Sequence, residues 1–186
     1  MQALEKYTPS ERDTWTWYLA NLEDVQDIVK LASGNFQHEV DAYMKVDLPL
    51  FARNLAQTCI KQAYNLYDEQ LLVARNKTTN ALIGWAWAGR GSYTSYSLDE
   101  MAEAKFIHMD MTLPTRTRVT LLAQAVQFWY NWALSCGCPI LVSTTIRGDQ
   151  QAFLHLHQQA GFELKGSIGY LRIIPFQEKL NESESV

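Results

Sequence analysis

His108 and Asp110 stand two residues apart in KFIHMDMTLP (105–114), a stretch that alternates as a strand does. Ile107, Met109, Met111 and Leu113 point one way, and Phe106, His108, Asp110 and Thr112 the other. The spacing puts an imidazole and a carboxylate on one sheet face, where the pair can serve as a base near neutral pH or simply form a polar surface. Pro114 closes the strand. Arg116 and Arg118 then place positive charge beside the start of a helical stretch, whether to hold an anion or as two solvated side chains. His155 and His157, two apart on a later helical stretch, point away from each other and make no metal pair. The three cysteines, Cys59, Cys136 and Cys138, form no disulfide framework and no zinc-finger spacing, and they read as reduced thiols. The chain contains no G-x-S-x-G, Walker loop or H-E-x-x-H motif.

The elements that must position these residues follow from periodicity. TWTWYLA (14–20) reads as a first strand. Asn21 caps a helix with Leu22, Val25, Ile28, Val29 and Ala32 on one face and Gly34 at its end. Residues 36–46 are a connector. Asp47 opens a second helix, with Pro49 in its first turn and Phe51, Leu55, Cys59 and Ala63 along its apolar face. Strands 69–75 and 81–89, joined by NKTTN, form an antiparallel hairpin. Trp85 and Trp87 share one face of the second strand, as core or as the wall of an acceptor site. Tyr93 and Tyr96 lie in a long loop suited to covering a substrate or touching a partner. Ser97-Leu98-Asp99-Glu100 fits a capping box and predicts a short helix. A long helix over about 115–136 ends at Gly137. A buried strand (139–146), a short helix (150–160) and a terminal hairpin (162–174) complete the order β-α-α-β-β-β-α-β-α-β-β. The fold class is α/β: a mixed, mostly antiparallel sheet with a central parallel β-α-β pair and helices on both faces.

At 186 residues the chain matches one domain of ~100–200 residues. We expect a loosely held arm over 1–13, the domain over 14–174 and a polar tail over 175–186. With 47% hydrophobic and 19% charged residues, the composition excludes wholesale disorder. A net charge of −4 argues against a general nucleic-acid binder. No signal peptide is visible and no apolar stretch approaches ~18 residues, so we expect no membrane span and a cytoplasmic location.

Taken in order, LLVARNKTTNALIGWAWAG, HMDMTLP before a long helix, and QQAFLHLHQQAGFE ending in Gly161-Phe162 resemble the GNAT superfamily of acyl-CoA-dependent N-acetyltransferases. The resemblance covers residues 14–174. It implies that the strand before the long helix parts from the next strand, that the pantetheine arm of acetyl-CoA enters the gap, and that the pyrophosphate rests on the helix N-terminus. It further implies cofactor contacts at Met111, Leu113, Arg116, Arg118 and Ala123. The family loop reads Arg/Gln-x-x-Gly-x-Gly/Ala. This chain has no glycine there: its small positions fall on Leu121 and Ala123 counted from Arg118, and on Val119 and Leu121 counted from Arg116. Arginine side chains can hold phosphate in place of glycine-opened backbone.

For catalysis the resemblance implies Asp110 or His108 as base and a strand amide near Met111 polarising the thioester. His157, counted back from Gly161-Phe162, or a tyrosine protonates the departing thiolate. His157 equally suits a solvent-facing helix position. Two functions follow as expectations. One is acyl-CoA-dependent N-acetyltransfer to an amine. The other is a catalytically lapsed GNAT-fold component of an assembly such as a phage virion, with protein partners and a virion location.

Overall fold

The computed structural model describes residues 2–39, 44–144 and 151–165. It begins with a 3-10 turn, Gln2–Tyr7, whose Leu4 is fully buried against the main core. The amino-terminal segment expected to be loosely held is thus pinned by one apolar side chain. Strand β1 (Trp15–Leu19) follows. Asn21 caps the 3-10 turn Leu22–Asp24, with a reciprocal hydrogen bond from its backbone N–H to Asp24, and that turn feeds α1 (Val25–Glu39).

Helix α1 runs through Gly34 rather than ending there. Gly34 sits on the exposed side with no atom within 4 Å of where a side chain would project. Its penalty of about 1 kcal/mol is outweighed by Phe36, which extends the buried stripe of Val25, Ile28 and Ala32 by another turn. Helix α2 (Leu48–Tyr64) starts as its sequence dictates: the Asp47 carboxylate accepts from the Leu50 N–H at 2.8 Å, and Pro49 lies in the first turn.

Strands β2 (Glu69–Asn76) and β3 (Leu82–Ser92) form the expected hairpin. Strand β4 (Met101–Met109) starts four residues before the expected position. Ser97 Oγ accepts from the Asp99 N–H at 3.1 Å in a local turn, and no helix forms there. Helix α3 (Thr115–Ser135) ends before Gly137, whose φ of 73° suits glycine. Strand β5 (Ile140–Ser143) and helix α4 (Gln151–Gln159) complete the described elements. The expected hairpin from residue 166 onward and the polar tail lie outside the described residues.

The sheet order is β1-β2-β3-β4-β5, antiparallel except for the parallel β4–β5 pair. One face carries small residues, Ala86, Ala88, Ala102 and Ala104, against α3. The other carries Trp85, Trp87 and Phe106 against α1 and α2. A β-bulge opposite Trp87/Ala88 connects the two patterns: Ala104 pairs with Ala88, Phe106 with Trp87, and Lys105 is the extra residue. Ala104 therefore faces α3 while Phe106, two residues on, faces α1 and α2.

Candidate functional site

The bulge coincides with the last described pair between β4 and β5. Among the described residues the two strands pair from Met101↔Ile140 to Ala104↔Ser143. Residues 106–109 of β4 pair with β3. The two strands are parallel, as expected; residues 145–146, where the expected parting near Met111 would be read, lie outside the described residues. A cavity of about 1010 Å³ reaches from the end of α1 past β4 to the first turns of α3.

His108 lies on the cavity wall with its side chain only 2% exposed. Its Nε2–H donates to Glu39 Oε2 at 3.0 Å, because an ionised carboxylate can only accept. Nδ1 is buried and has no hydrogen-bond partner among the described residues. Phe36 and Trp85 meet the imidazole edge-on, with ring centroids 5.3 and 5.0 Å away. This environment fixes the ring and leaves Nδ1 without a hydrogen-bond partner among the described residues.

Asp110 does not join His108. It follows the end of β4, where its Oδ1 accepts from the N–H and Oγ1–H of Thr112 at 2.9 and 2.7 Å. The strand ends at Met109, so the alternation expected to align the two side chains stops one residue short. Asp110 shapes the turn into α3 and is not on the cavity wall. The partner His108 does have, Glu39, was missed by sequence reasoning, because Gly34 was taken to end its helix. The signal present was Phe36, which continues the spacing of Ile28 and Ala32.

At the opposite end of the cavity, α3 begins behind Pro114 without any side-chain hydrogen bond capping its first amides. Such a terminus favours an anion. Arg118 lines the cavity, with Nη2–H donating to Thr115 Oγ1 at 3.2 Å and Nη1 lying 3.5 Å from Met111 Sδ. Among the described residues it makes no ion pair, and its Nε is buried without a partner. Arg116 is exposed and lies off the wall.

The other expected cofactor residues divide by the direction they face. Met111 reaches the cavity but lies past the end of β4, so no strand amide is present there. Leu113 turns away to pack with Ala74, Ile83, Met109 and Leu121. Ala123 is fully buried between α3 and the sheet. Because α3 starts at Thr115, the positions expected to open the backbone to phosphate lie inside the helix on its packed side. Leu121 shares that fate, while Leu122 lines the cavity.

His157 faces neither solvent nor the cavity: it is 1% exposed. Its Nδ1–H donates to the Phe153 carbonyl at 2.8 Å, and Nε2 accepts from Ser143 Oγ–H at 3.0 Å. Phe153, on the cavity wall, stacks on the imidazole at 4.0 Å. Burial pushes its pKa below the ordinary imidazole value, so the ring is neutral and both nitrogens are committed. It is a clamp between α4 and β5, not an imidazolium ready to give up a proton.

The three cysteines are free thiols, and burial together with the nearby Asp24 charge pushes Cys59 up to about 11. Among the described residues no cluster could hold a metal ion, and no helix is long and apolar enough to cross a membrane.

No family model matches the chain, and no curated protein matches its sequence. Solved structures share its fold. An aminoglycoside N-acetyltransferase in complex with CoA superposes with a TM-score of 0.64, over 88% of this chain and 98% of that one, at 14% identity. A glucosamine-6-phosphate N-acetyltransferase from Arabidopsis thaliana gives 0.62, over 87% and 100%, at 13% identity. A putative acetyltransferase from Salmonella typhimurium with its cofactor acetyl-CoA gives 0.60, over 83% and 82%, at 18% identity. The chain has the GNAT fold.

Proposed function

We propose that this GNAT-fold chain is an acyl-CoA-dependent N-acyltransferase acting on an amine. The observation that carries the reading is the continuity of one cavity from Arg118, unpaired among the described residues, at the uncapped start of α3, past the end of β4, to His108 and Glu39. The fold supports it: structural neighbours hold CoA or acetyl-CoA.

The residues present fit acetyl-CoA. Arg118, Thr115 and the first amides of α3 offer donors and positive charge to phosphate. Leu121, at one of the family's glycine positions, turns inward and does not obstruct the terminus, while Val119 and Leu122 line the cavity. When bound, acetyl-CoA supplies an acyl group activated as a thioester.

This chain's own residues would do the rest. His108 is the base that accepts the proton the amine nitrogen loses, and its hydrogen bond with Glu39 holds the ring in one orientation. The aromatic packing around His108 keeps water from the base. Positioning in the cavity supplies the remainder of the rate enhancement.

Thermal unfolding with acetyl-CoA tests the reading: at a hundredfold excess over Kd, binding to the native state adds ~2.7 kcal/mol. Thiol release on adding a pool of primary amines should follow. No shift at millimolar acetyl-CoA would leave the fold without this activity.

A further inference from the structure

We infer that the acceptor is a primary amine carried on an aromatic or similarly flat apolar body. The inference rests on the acyltransferase reading and narrows it. Where the cavity meets α1 and α2, its wall is made of rings: Phe36, Phe51, Trp87 and Phe106. Phe36 stands edge-on to Phe51 at 5.1 Å and to Phe106 at 6.1 Å, while Trp87 and Phe106 lie nearly parallel, 27° apart with centroids at 6.0 Å. The lining of this half is thus aromatic, the kind of surface on which an aryl group packs.

Among the described residues, this half also carries the exposed side chains of Lys45 and Asn54, while the polar groups that touch the rings are committed. Asp47 caps α2 through the Leu50 N–H. Lys105 sits 3.5 Å from Glu69 and over the Trp87 ring, and the Trp87 indole N–H donates to Glu69 Oε2 at 3.0 Å. A polyhydroxylated acceptor would bring hydroxyls into contact with carbon, and a buried hydroxyl without a partner is penalised. An aryl group makes no such demand.

Among the described carboxylates on the wall, Asp47 and Glu103 are exposed and Glu39 is not. Glu39, with its side chain 8% exposed, is the buried carboxylate on the wall, and it stands beside the base. A carboxylate in such surroundings favours a cation, so the ammonium end of the acceptor is drawn to His108 while its body lies against the rings. The bulge at Lys105 makes this possible by turning Phe106 and His108 together towards α1 and α2.

Isothermal titration of the full chain with 2-phenylethylamine, 2-phenylethanol, glucosamine and putrescine tests the inference, alongside the acetyl-CoA thermal shift on the same samples. We expect 2-phenylethylamine to bind at least tenfold tighter than each of the other three. Phe106→Leu, which keeps most of the volume, and Trp87→Phe should each weaken it severalfold. Glu39→Gln should narrow the gap between the amine and the alcohol. Glucosamine or putrescine binding as tightly, or no measurable binding of 2-phenylethylamine, overturns the inference. An acetyl-CoA shift without aryl-amine preference overturns the inference and leaves the acyltransferase reading standing. Aryl-amine binding without an acetyl-CoA shift overturns the acyltransferase reading, and with it the amine's role as acceptor.

Discussion

Glu39 and His108 lie 69 residues apart in sequence and 3.0 Å apart in space, joined by a hydrogen bond that ties the last residue of α1 to the penultimate residue of β4. Their side chains are only 8% and 2% exposed, so the hydrogen bond between them is shielded from water. This one contact links a helix end to the end of β4, and it sets the floor of the cavity.

Removing one partner should therefore cost more than removing both. His108→Ala removes a donor from a buried carboxylate, and we expect a loss of ~1–3 kcal/mol in urea unfolding. Adding Glu39→Leu should recover part of it. His108→Gln, a milder change, should lower kcat by ~10²–10⁴-fold while acetyl-CoA still shifts the melting temperature.

The two arginines at the start of α3 should behave differently. Arg118→Glu should abolish the acetyl-CoA thermal shift, because Arg118 lines the cavity. Arg116→Glu should keep more than half of it, because Arg116 is exposed and off the wall. Equal losses from both would place the phosphate site elsewhere.

Leu121 should act only through stability. It is fully buried with Ala74, Ile83 and Met109, so Leu121→Ala should destabilise by ~2–5 kcal/mol in chemical denaturation. Leu121→Gly should lose about 1 kcal/mol more through helix propensity and should not tighten CoA in titration calorimetry.

His157 should make stability fall in mild acid. Burial pushes its folded-state pKa below 6.5, so below that value the unfolded chain binds a proton that the folded chain does not. This contribution is complete above about pH 6.5 and is lost as pH falls through the lower folded value. Unfolding free energies measured from pH 7 to pH 5 should decline, and His157→Gln should flatten that decline.

The sequence periodicities located the hairpin, the long helix and the parallel pair because each rests on local spacing: Trp85 and Trp87 alternate, α3 repeats apolar residues at helical intervals, and Gly137 stops it. The site was less legible. The strand before α3 was read over 105–113, and Phe106 and His108 do share a face; but it begins at Met101 and ends at Met109, and the Asp110–Thr112 turn that ends it is set by hydrogen bonds that a period-two pattern does not show. Glu39 was hidden behind Gly34, whose intrinsic preference was overridden by tertiary packing of Phe36. His157 was given a chemical role by its distance from Gly161-Phe162, a count that says nothing about which side of α4 is buried.

The sheet divides its labour by side-chain size. Its alanine face lets α3 approach closely and leaves no room for enlargement, whereas its aromatic face is built of large, separable rings. Trimming or exchanging Phe36, Phe51 or Phe106 changes the shape of the cavity without disturbing the start of α3. A laboratory wishing to reshape the cavity would leave one side of the sheet alone and diversify the other.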